Sequence, residues 1–141
     1  MERIIKEKIS ADHLLYVSLK YTKTCDVIVN LLLRWKNMIE YAMDLLIEKA
    51  KKQKKWKPAP EAPRAKLFQL KKLYLQDKVI QDALVLYELF RDIETLPKIR
   101  ENEFRKGVNL KVEYKGESVN INLEKLKEYS EILERFISAM K

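Results

Sequence analysis

A run of cationic residues between Lys49 and Lys72 is the part of this sequence best suited to chemistry. This basic segment holds ten Lys and Arg residues and one acid, Glu61, so its 24 residues carry a net charge of +9. The whole chain of 141 residues carries +8, which leaves −1 for the other 117 residues. Cationic side chains bind phosphate, and an aromatic ring among them can stack on a base. The candidate nucleic-acid-binding residues are Lys51, Lys52, Lys54, Lys55, Trp56, Lys57, Arg64 and Lys66.

The same lysines also have an explanation that involves no ligand. Lysines at the C-terminal end of a helix stabilise the helix dipole, which accounts for one or two of them. Lysine-rich surfaces are also ordinary in heat-adapted proteins. Nucleic acid contact and a solvated basic surface both remain open from the sequence, and the solvated surface is the more common of the two.

Few other residues have types suited to a reaction. The chain has one Cys, Cys25, and one His, His13, fewer ligands than a zinc site needs, so we expect no metal and no cofactor. Twelve positions separate Cys25 from His13, about 18 Å along a single helix, so the two could act as a catalytic Cys/His pair only if the chain reversed between them. Cys25 continues an apolar face and is therefore interpreted as a buried structural residue, and His13 as a surface or partly buried one. With two glycines, the chain has no phosphate-binding glycine loop. We predict no catalytic residue.

The composition indicates one folded domain over residues 1–141. Apolar residues make up 47% of the chain, which is enough for a core at this length. A single Cys is typical of a reducing compartment, so we expect a cytoplasmic protein. No run approaches the ~18 uncharged apolar residues of a spanning helix, and the N-terminal MERIIKEKIS does not have the apolar run of a signal peptide. No membrane association is expected.

Scarce Gly and Pro favour a few long helices over many short strands. From Asp26 to Ala50 the apolar residues cover a wide arc, which predicts the central helix of a bundle. Ser10 is a candidate N-cap for the first helix, which residues 2–9 could also extend, and Thr24 can cap a new helix. Residues 11–55 therefore form either one helix or two. We favour two, because a helix of more than 40 residues is unusual in a globular domain.

Three prolines follow the lysines and predict an extended Pro-rich linker over residues 57–63, with Pro63 suited to the first turn of the next helix. That helix carries the apolar residues Leu67, Phe68, Leu70, Leu73, Tyr74 and Leu75. Asp77 is the expected cap of the helix after it.

One stretch has a clear strand pattern. Residues 108–122 or so alternate apolar and polar side chains on both sides of Lys115-Gly116, which predicts a β-hairpin. The predicted register pairs Val112 with Val119 and Leu110 with Ile121 on one face, and polar residues on the other. Asn122 then caps the last helix. The fold class predicted is mainly α: a four- to five-helix up-and-down bundle with one C-terminal hairpin before the last helix.

Two stretches carry a resemblance to a known family. Residues 16–28 (YVSLKYTKTCDVI) and the hairpin leading into LEKLKEYSEILERF resemble small uncharacterised archaeal proteins, which are similar in turn to the HEPN helical-bundle superfamily. The resemblance spans most of the chain. It implies a bundle of four or five helices, often a dimer. Members of that superfamily include partners of minimal nucleotidyltransferases and ribonucleases of toxin–antitoxin systems.

The ribonuclease members carry an Arg followed four to six residues later by a His. The nearest segment here contains Arg100 and Arg105 but no His, and His13 lies ten positions after Arg3. The general acid/base is therefore missing, and the activity does not transfer. We expect residues 100–106 to form a short charged helical turn.

Three interpretations follow. The leading one is a non-catalytic, dimeric binding module, in the manner of a nucleotidyltransferase partner. The second is a nucleic-acid-binding protein, for RNA in particular, that uses the basic segment. The third is a divergent HEPN ribonuclease around Arg100 and Arg105.

Overall fold

The computed structural model describes residues 1–58 and 60–141, so only Ala59, inside the predicted linker, lies outside it. Over these residues the protein is mainly helical (66%), with five helices and a three-stranded antiparallel sheet placed before the last helix. Helix α1 consists of Glu2–His13, a π-helical stretch Leu14–Ser18, and Leu19–Tyr21; the others are α2 (Cys25–Lys52), α3 (Pro63–Leu73), α4 (Lys78–Asp92) and α5 (Leu123–Met140). The strands are β1 (Lys98–Glu101), β2 (Asn109–Tyr114) and β3 (Glu117–Asn122).

Residues 11–55 form two helices, as favoured from the sequence. The chain leaves the helical conformation at Thr22 and Thr24, both of which are extended. The Thr24 hydroxyl accepts a hydrogen bond from the Val27 N–H at 3.4 Å and so caps α2. The cap predicted at Ser10 is wrong, because α1 begins at Glu2 and Ser10 lies within it.

Helix α2 is the central helix, since it contacts α1, α3, α4 and the sheet. Its buried side chains cover more than one side of the helix: Cys25, Ile28, Leu31, Leu32, Trp35, Met38, Ile39, Ala42, Met43, Leu46, Ile47 and Ala50. Trp35 stacks on Phe90 of α4 at 5.9 Å between ring centroids, and Phe90 meets Tyr129 of α5 edge-on at 5.5 Å. Aromatic contacts thus join three helices in one hydrophobic core. Among the described residues, no helix has the length and apolar character to cross a bilayer.

The predicted hairpin is confirmed with its register. Val112 lies opposite Val119, and Leu110 lies opposite Ile121. Lys115 and Gly116 both have positive φ, 51° and 80°, which is the conformation of a type I′ turn. The apolar face of the hairpin packs on the helices. This packing stabilises two strands that would be only marginally stable alone.

The helical turn expected at residues 100–106 is wrong, because residues 100 and 101 belong to a strand and residues 102–106 form bends and turns in which Asn102 and Phe104 have positive φ, 52° and 66°. Lys98–Glu101 forms β1, which pairs antiparallel with β2 and puts Ile99 opposite Lys111. Pairing with the open edge of β2 outweighs the weak helical preference of a short charged segment. Pro97 prevents α4 from continuing. The Lys98 ammonium then donates hydrogen bonds of 2.8–3.0 Å to three backbone carbonyls in residues 93–96.

Helix α3 begins at Pro63, as predicted. It packs on the bundle through Leu67 and Leu70, which are buried. Phe68, by contrast, is 62% exposed. Asp77 and Asn122 both accept hydrogen bonds from backbone N–H groups three residues later, which confirms them as the caps of α4 and α5.

Candidate nucleic-acid interface

The basic segment begins where α2 ends, and a specific turn ends that helix. Lys54 lies in the left-handed region with φ 58°. The Lys55 N–H donates to the Ala50 carbonyl at 2.8 Å, and the Lys54 N–H donates to the Lys51 carbonyl at 3.0 Å. These two bonds make a Schellman motif, which reverses the chain after the last helical turn. The turn therefore directs the remaining lysines into the linker.

The linker lies against α3. The Gln69 side-chain amide donates a 2.9 Å hydrogen bond to the Lys57 carbonyl. Between the two elements is a groove of about 470 Å³, which we call the linker groove. It is lined by Lys55, Lys57, Pro58, Pro60, Ala65, Phe68, Gln69, Lys72 and Leu73. Its charged residues are three lysines, and none of the residues that line it is acidic.

A second groove of about 310 Å³ lies on the other side of Phe68, between α3 and α4, and we call it the α3–α4 groove. It is lined by Arg64, Leu67, Phe68, Lys71, Glu88, Arg91, Asp92, Tyr114 and Lys115. Arg91 and Lys115 are outside the basic segment, and tertiary packing adds them to its charge. Their Lys and Arg identity was visible in the sequence, but nothing local indicated that they lie beside α3.

Most cations of the basic segment have no ion-pair partner. Lys66 contacts Asp44 at 3.3 Å and Glu61 at 3.7 Å, and Lys71 pairs with Glu88. In the part of the chain that the structure describes, the other eight have no carboxylate within 4.0 Å: Lys49, Lys51, Lys52, Lys54, Lys55, Lys57, Arg64 and Lys72. The fold therefore leaves this charge for solvent ions or a ligand.

The aromatic residue exposed in the basic segment is Phe68. Trp56, which the sequence indicated, is half-buried and packs against the core. Phe68 is largely exposed, and the Lys72 ammonium lies 4.6 Å from the centroid of its ring. The helical phase carried a signal for this, because Phe68 falls one position off the face that Leu67 and Leu70 define.

The predicted binding residues divide among four places. Lys52 and Lys54 are exposed at the end of α2, and Lys55 and Lys57 line the linker groove. Arg64 lines the α3–α4 groove. The remaining three of the eight, Lys51, Trp56 and Lys66, line a separate cavity of about 310 Å³ together with Asp44, Glu48 and Glu61. The acids in that cavity make it poorly suited to phosphate.

Arg100 and Arg105 do not join this surface. Arg100 donates a 2.5 Å hydrogen bond to Asp26, in the first turn of α2, and it also pairs with Glu103 at 3.6 Å. Lys51 is in the last turn of the same helix, about 38 Å away along the axis. The hydrogen bond from Arg100 lowers the pKa of the Asp26 carboxyl. Arg105 is exposed beyond β1. This arginine region and the basic segment therefore lie at opposite ends of α2.

Cys25 is buried, as expected, and its thiol donates to the Asn109 carbonyl at 3.4 Å. Burial raises the pKa of the thiol, which is the opposite of what a nucleophile needs. His13 is exposed on α1. Within residues 1–58 and 60–141, no three His, Cys, Asp or Glu side chains are arranged to hold a metal ion.

Comparisons of the chain with protein-family models, with curated proteins and with solved structures found no match. The class of protein defined by fold and surface is thus a mainly helical protein with a small sheet and one concentrated cationic surface. This cationic surface is the feature of the molecule that points to a function.

Proposed function

We propose that this protein is a non-catalytic binding module whose ligand is nucleic acid, with RNA as the expected form, bound by the basic segment. The observation that carries the proposal is the set of eight cations without a carboxylate partner in the described residues. Phosphates neutralise such a surface and release its counterions, which is the main source of affinity in nucleic acid binding.

The helix dipole accounts for only part of this charge. It favours Lys49, Lys51 and Lys52 in the last turn of α2 and Lys72 in the last turn of α3, but the linker lysines belong to no helix. Arg64 lies in the first turn of α3, which has no acidic residue, so the dipole of α3 disfavours it. A cation kept at an unfavourable position is better explained by a ligand.

The experiment is fluorescence anisotropy with a labelled RNA at salt concentrations between about 50 and 200 mM. Replacing Lys51, Lys52, Lys54 and Lys55 by Glu should weaken binding by at least tenfold and flatten the dependence on salt, since the slope follows the number of phosphates neutralised. The matched control makes four Lys→Glu changes at exposed positions outside the basic segment: Lys6, Lys106, Lys127 and Lys141. It has the same net charge and should keep binding.

Equal loss in both variants would contradict a local site, and binding that ignores salt would contradict phosphate contacts. Circular dichroism on both variants checks that they are folded.

We propose no ribonuclease activity. The Arg100 guanidinium is engaged by Asp26 and Glu103, and residues 100–107 supply no His as a general acid/base. RNA incubated with the purified protein should stay intact. Cleavage that an Arg100→Ala, Arg105→Ala variant abolishes would overturn the non-catalytic assignment and restore the divergent HEPN ribonuclease.

A second candidate function, binding to a protein partner, has support from α1. This helix exposes Ile9 (64%), Tyr16 (57%), Val17 (42%) and Tyr21 (78%). Contiguous exposed apolar patches are typical of interaction surfaces, and these four side chains lie along a single helix. We propose that a second copy of this chain covers them. The up-and-down HEPN-like arrangement and a nucleotidyltransferase partner rest on the family resemblance and are proposed with it.

Light scattering at micromolar concentration tests the dimer. The wild type and a Val85→Glu control, changed at an exposed apolar residue of α4, should both be dimeric. Tyr16→Lys with Val17→Glu should give a monomer, because burial of a charge at the interface is costly. A monomeric wild type would contradict this candidate.

A further inference from the structure

We infer that the nucleic acid bound here is single-stranded, with one base stacked on Phe68 and the backbone on either side of that base lying in the two grooves that meet at this ring. The inference rests on the proposed function, and it adds the strandedness of the ligand and its point of contact. One of the two grooves includes Arg91 and Lys115, which lie outside the basic segment.

The position of Phe68 is the first observation. Its side chain lines both the linker groove and the α3–α4 groove, so the ring forms the ridge between them. The Lys72 ammonium lies over one face of the ring, 4.6 Å from its centroid, and 62% of the residue is exposed, so the platform carries a cation beside its exposed surface. A single exposed Phe is ordinary on protein surfaces, but one set between two cationic grooves is a stacking platform.

The charge along the two grooves is the second observation. Lys55, Lys57 and Lys72 line the linker groove without an acid among its lining residues. In the α3–α4 groove both acids are already paired: Glu88 with Lys71 and Lys115, and Asp92 with Arg91 at 3.5 Å. Cations therefore exceed acids on both sides of the ring, as a phosphate backbone passing over it requires.

The platform is also held in place. Leu67 and Leu70, on either side of Phe68 in sequence, are buried in the core. The Gln81 side-chain amide of α4 donates to the Lys71 carbonyl at 3.0 Å and to the Tyr74 carbonyl at 2.8 Å, which fastens the end of α3. A base can therefore stack on Phe68 without ordering a loop of the protein first, so the protein loses little conformational entropy on binding.

Strandedness follows from the chemistry of stacking. In a duplex the faces of the bases are already covered by their neighbours, so an aromatic side chain gains contact only with an unpaired base. Duplex RNA is recognised through its phosphates and 2′-hydroxyl groups, a contact in which an exposed Phe takes no part. The ring between the grooves therefore favours the single strand.

The test measures binding of the full chain to three probes at one salt concentration: a short single-stranded RNA, a duplex RNA of the same length, and heparin. Phe68→Leu should weaken binding to the single strand by about fivefold or more and leave heparin and duplex binding unchanged. Phe68→Trp should restore or exceed wild-type affinity for the single strand, because the larger ring stacks at least as well. Phe104→Leu, at another exposed Phe, is the matched control and should behave as wild type.

Failure of this inference can be separated from failure of the proposed function. If Phe68→Leu changes nothing, or weakens all three probes equally, the stacking platform is overturned, while charge reversal of the four lysines still tests the proposed function. Tighter wild-type binding to the duplex than to the single strand would also overturn the inference. Wild-type protein that binds none of the probes at low salt would overturn both.

Discussion

Lys54 adopts a backbone conformation that lysine rarely takes. Its φ of 58° is required by the Schellman motif at the end of α2, where glycine is the usual residue because it has no Cβ. A non-glycine residue in this region costs roughly 1 kcal/mol. The cation at Lys54 is thus retained against local backbone preference, which fits a functional role for its charge.

We predict that Lys54→Gly stabilises the protein by up to about 1 kcal/mol and weakens RNA binding, because it relieves backbone strain and removes one cation. Urea unfolding and anisotropy measure the two effects on the same variant. Gln53→Gly is the control: its φ is −87°, so glycine there relieves no strain. A Lys54→Gly variant less stable than wild type would contradict this account.

At the scale of elements, one carboxylate links three of them. Glu88 of α4 binds Lys71 of α3 and also contacts Lys115, in the turn of the hairpin, at 3.2 Å. Burial acts to raise the pKa of Glu88, but hydrogen bonds from the two lysines outweigh it and lower the pKa below its ordinary value. The ionised form is therefore favoured by folding.

A carboxyl with a lowered folded pKa contributes stability that is complete above its unfolded pKa, about 4.3, and is lost as pH falls through the folded pKa. We therefore predict that Glu88→Gln lowers the free energy of unfolding at pH 7, and that its difference from wild type shrinks as pH falls below about 4. Chemical unfolding at several pH values measures this difference. Glu131→Gln, at an exposed residue of α5, should show no comparable pH-dependent difference. A loss of unfolding free energy in Glu88→Gln that is the same in acid as at pH 7 would contradict a stabilising role for the ionised Glu88 carboxylate.

The elements also show which local signals are reliable. The hairpin register and the caps at Thr24, Asp77 and Asn122 were predicted because each depends on neighbouring residues alone. Strand β1 was missed, since four residues carry too short a pattern and its partner is the open edge of β2. Phe68 lies one position off the buried face of α3, so its exposure follows from the helical phase once that face is known.

For the whole molecule, the distribution of charge matters more than its total. The basic segment carries the whole positive net charge, and the remaining chain, at −1, is close to neutral. A ligand that binds only the folded state stabilises it by mass action, which amounts to about 2.7 kcal/mol at one hundred times Kd.

We therefore predict that single-stranded RNA at that excess raises the Tm by about 5–10 °C at low salt, and that the shift disappears at high salt. Differential scanning fluorimetry measures it. The variant with Glu at Lys51, Lys52, Lys54 and Lys55 should show little shift, and a variant with Ala at Arg100 and Arg105 should show the full one, since these arginines lie at the other end of α2. A full shift in the lysine variant would place the ligand elsewhere.

By itself, the sequence determined the helical class, the central helix, the hairpin with its register, and the location of the charge, because periodicity, capping and charge are properties of neighbouring residues. Only the tertiary structure decided that Trp56 turns to the core while Phe68 is exposed, that Arg91 and Lys115 join the basic segment at a second groove, and that Arg100 is bound by Asp26. Contacts of this kind join residues far apart in the chain, and no local pattern encodes which ones meet.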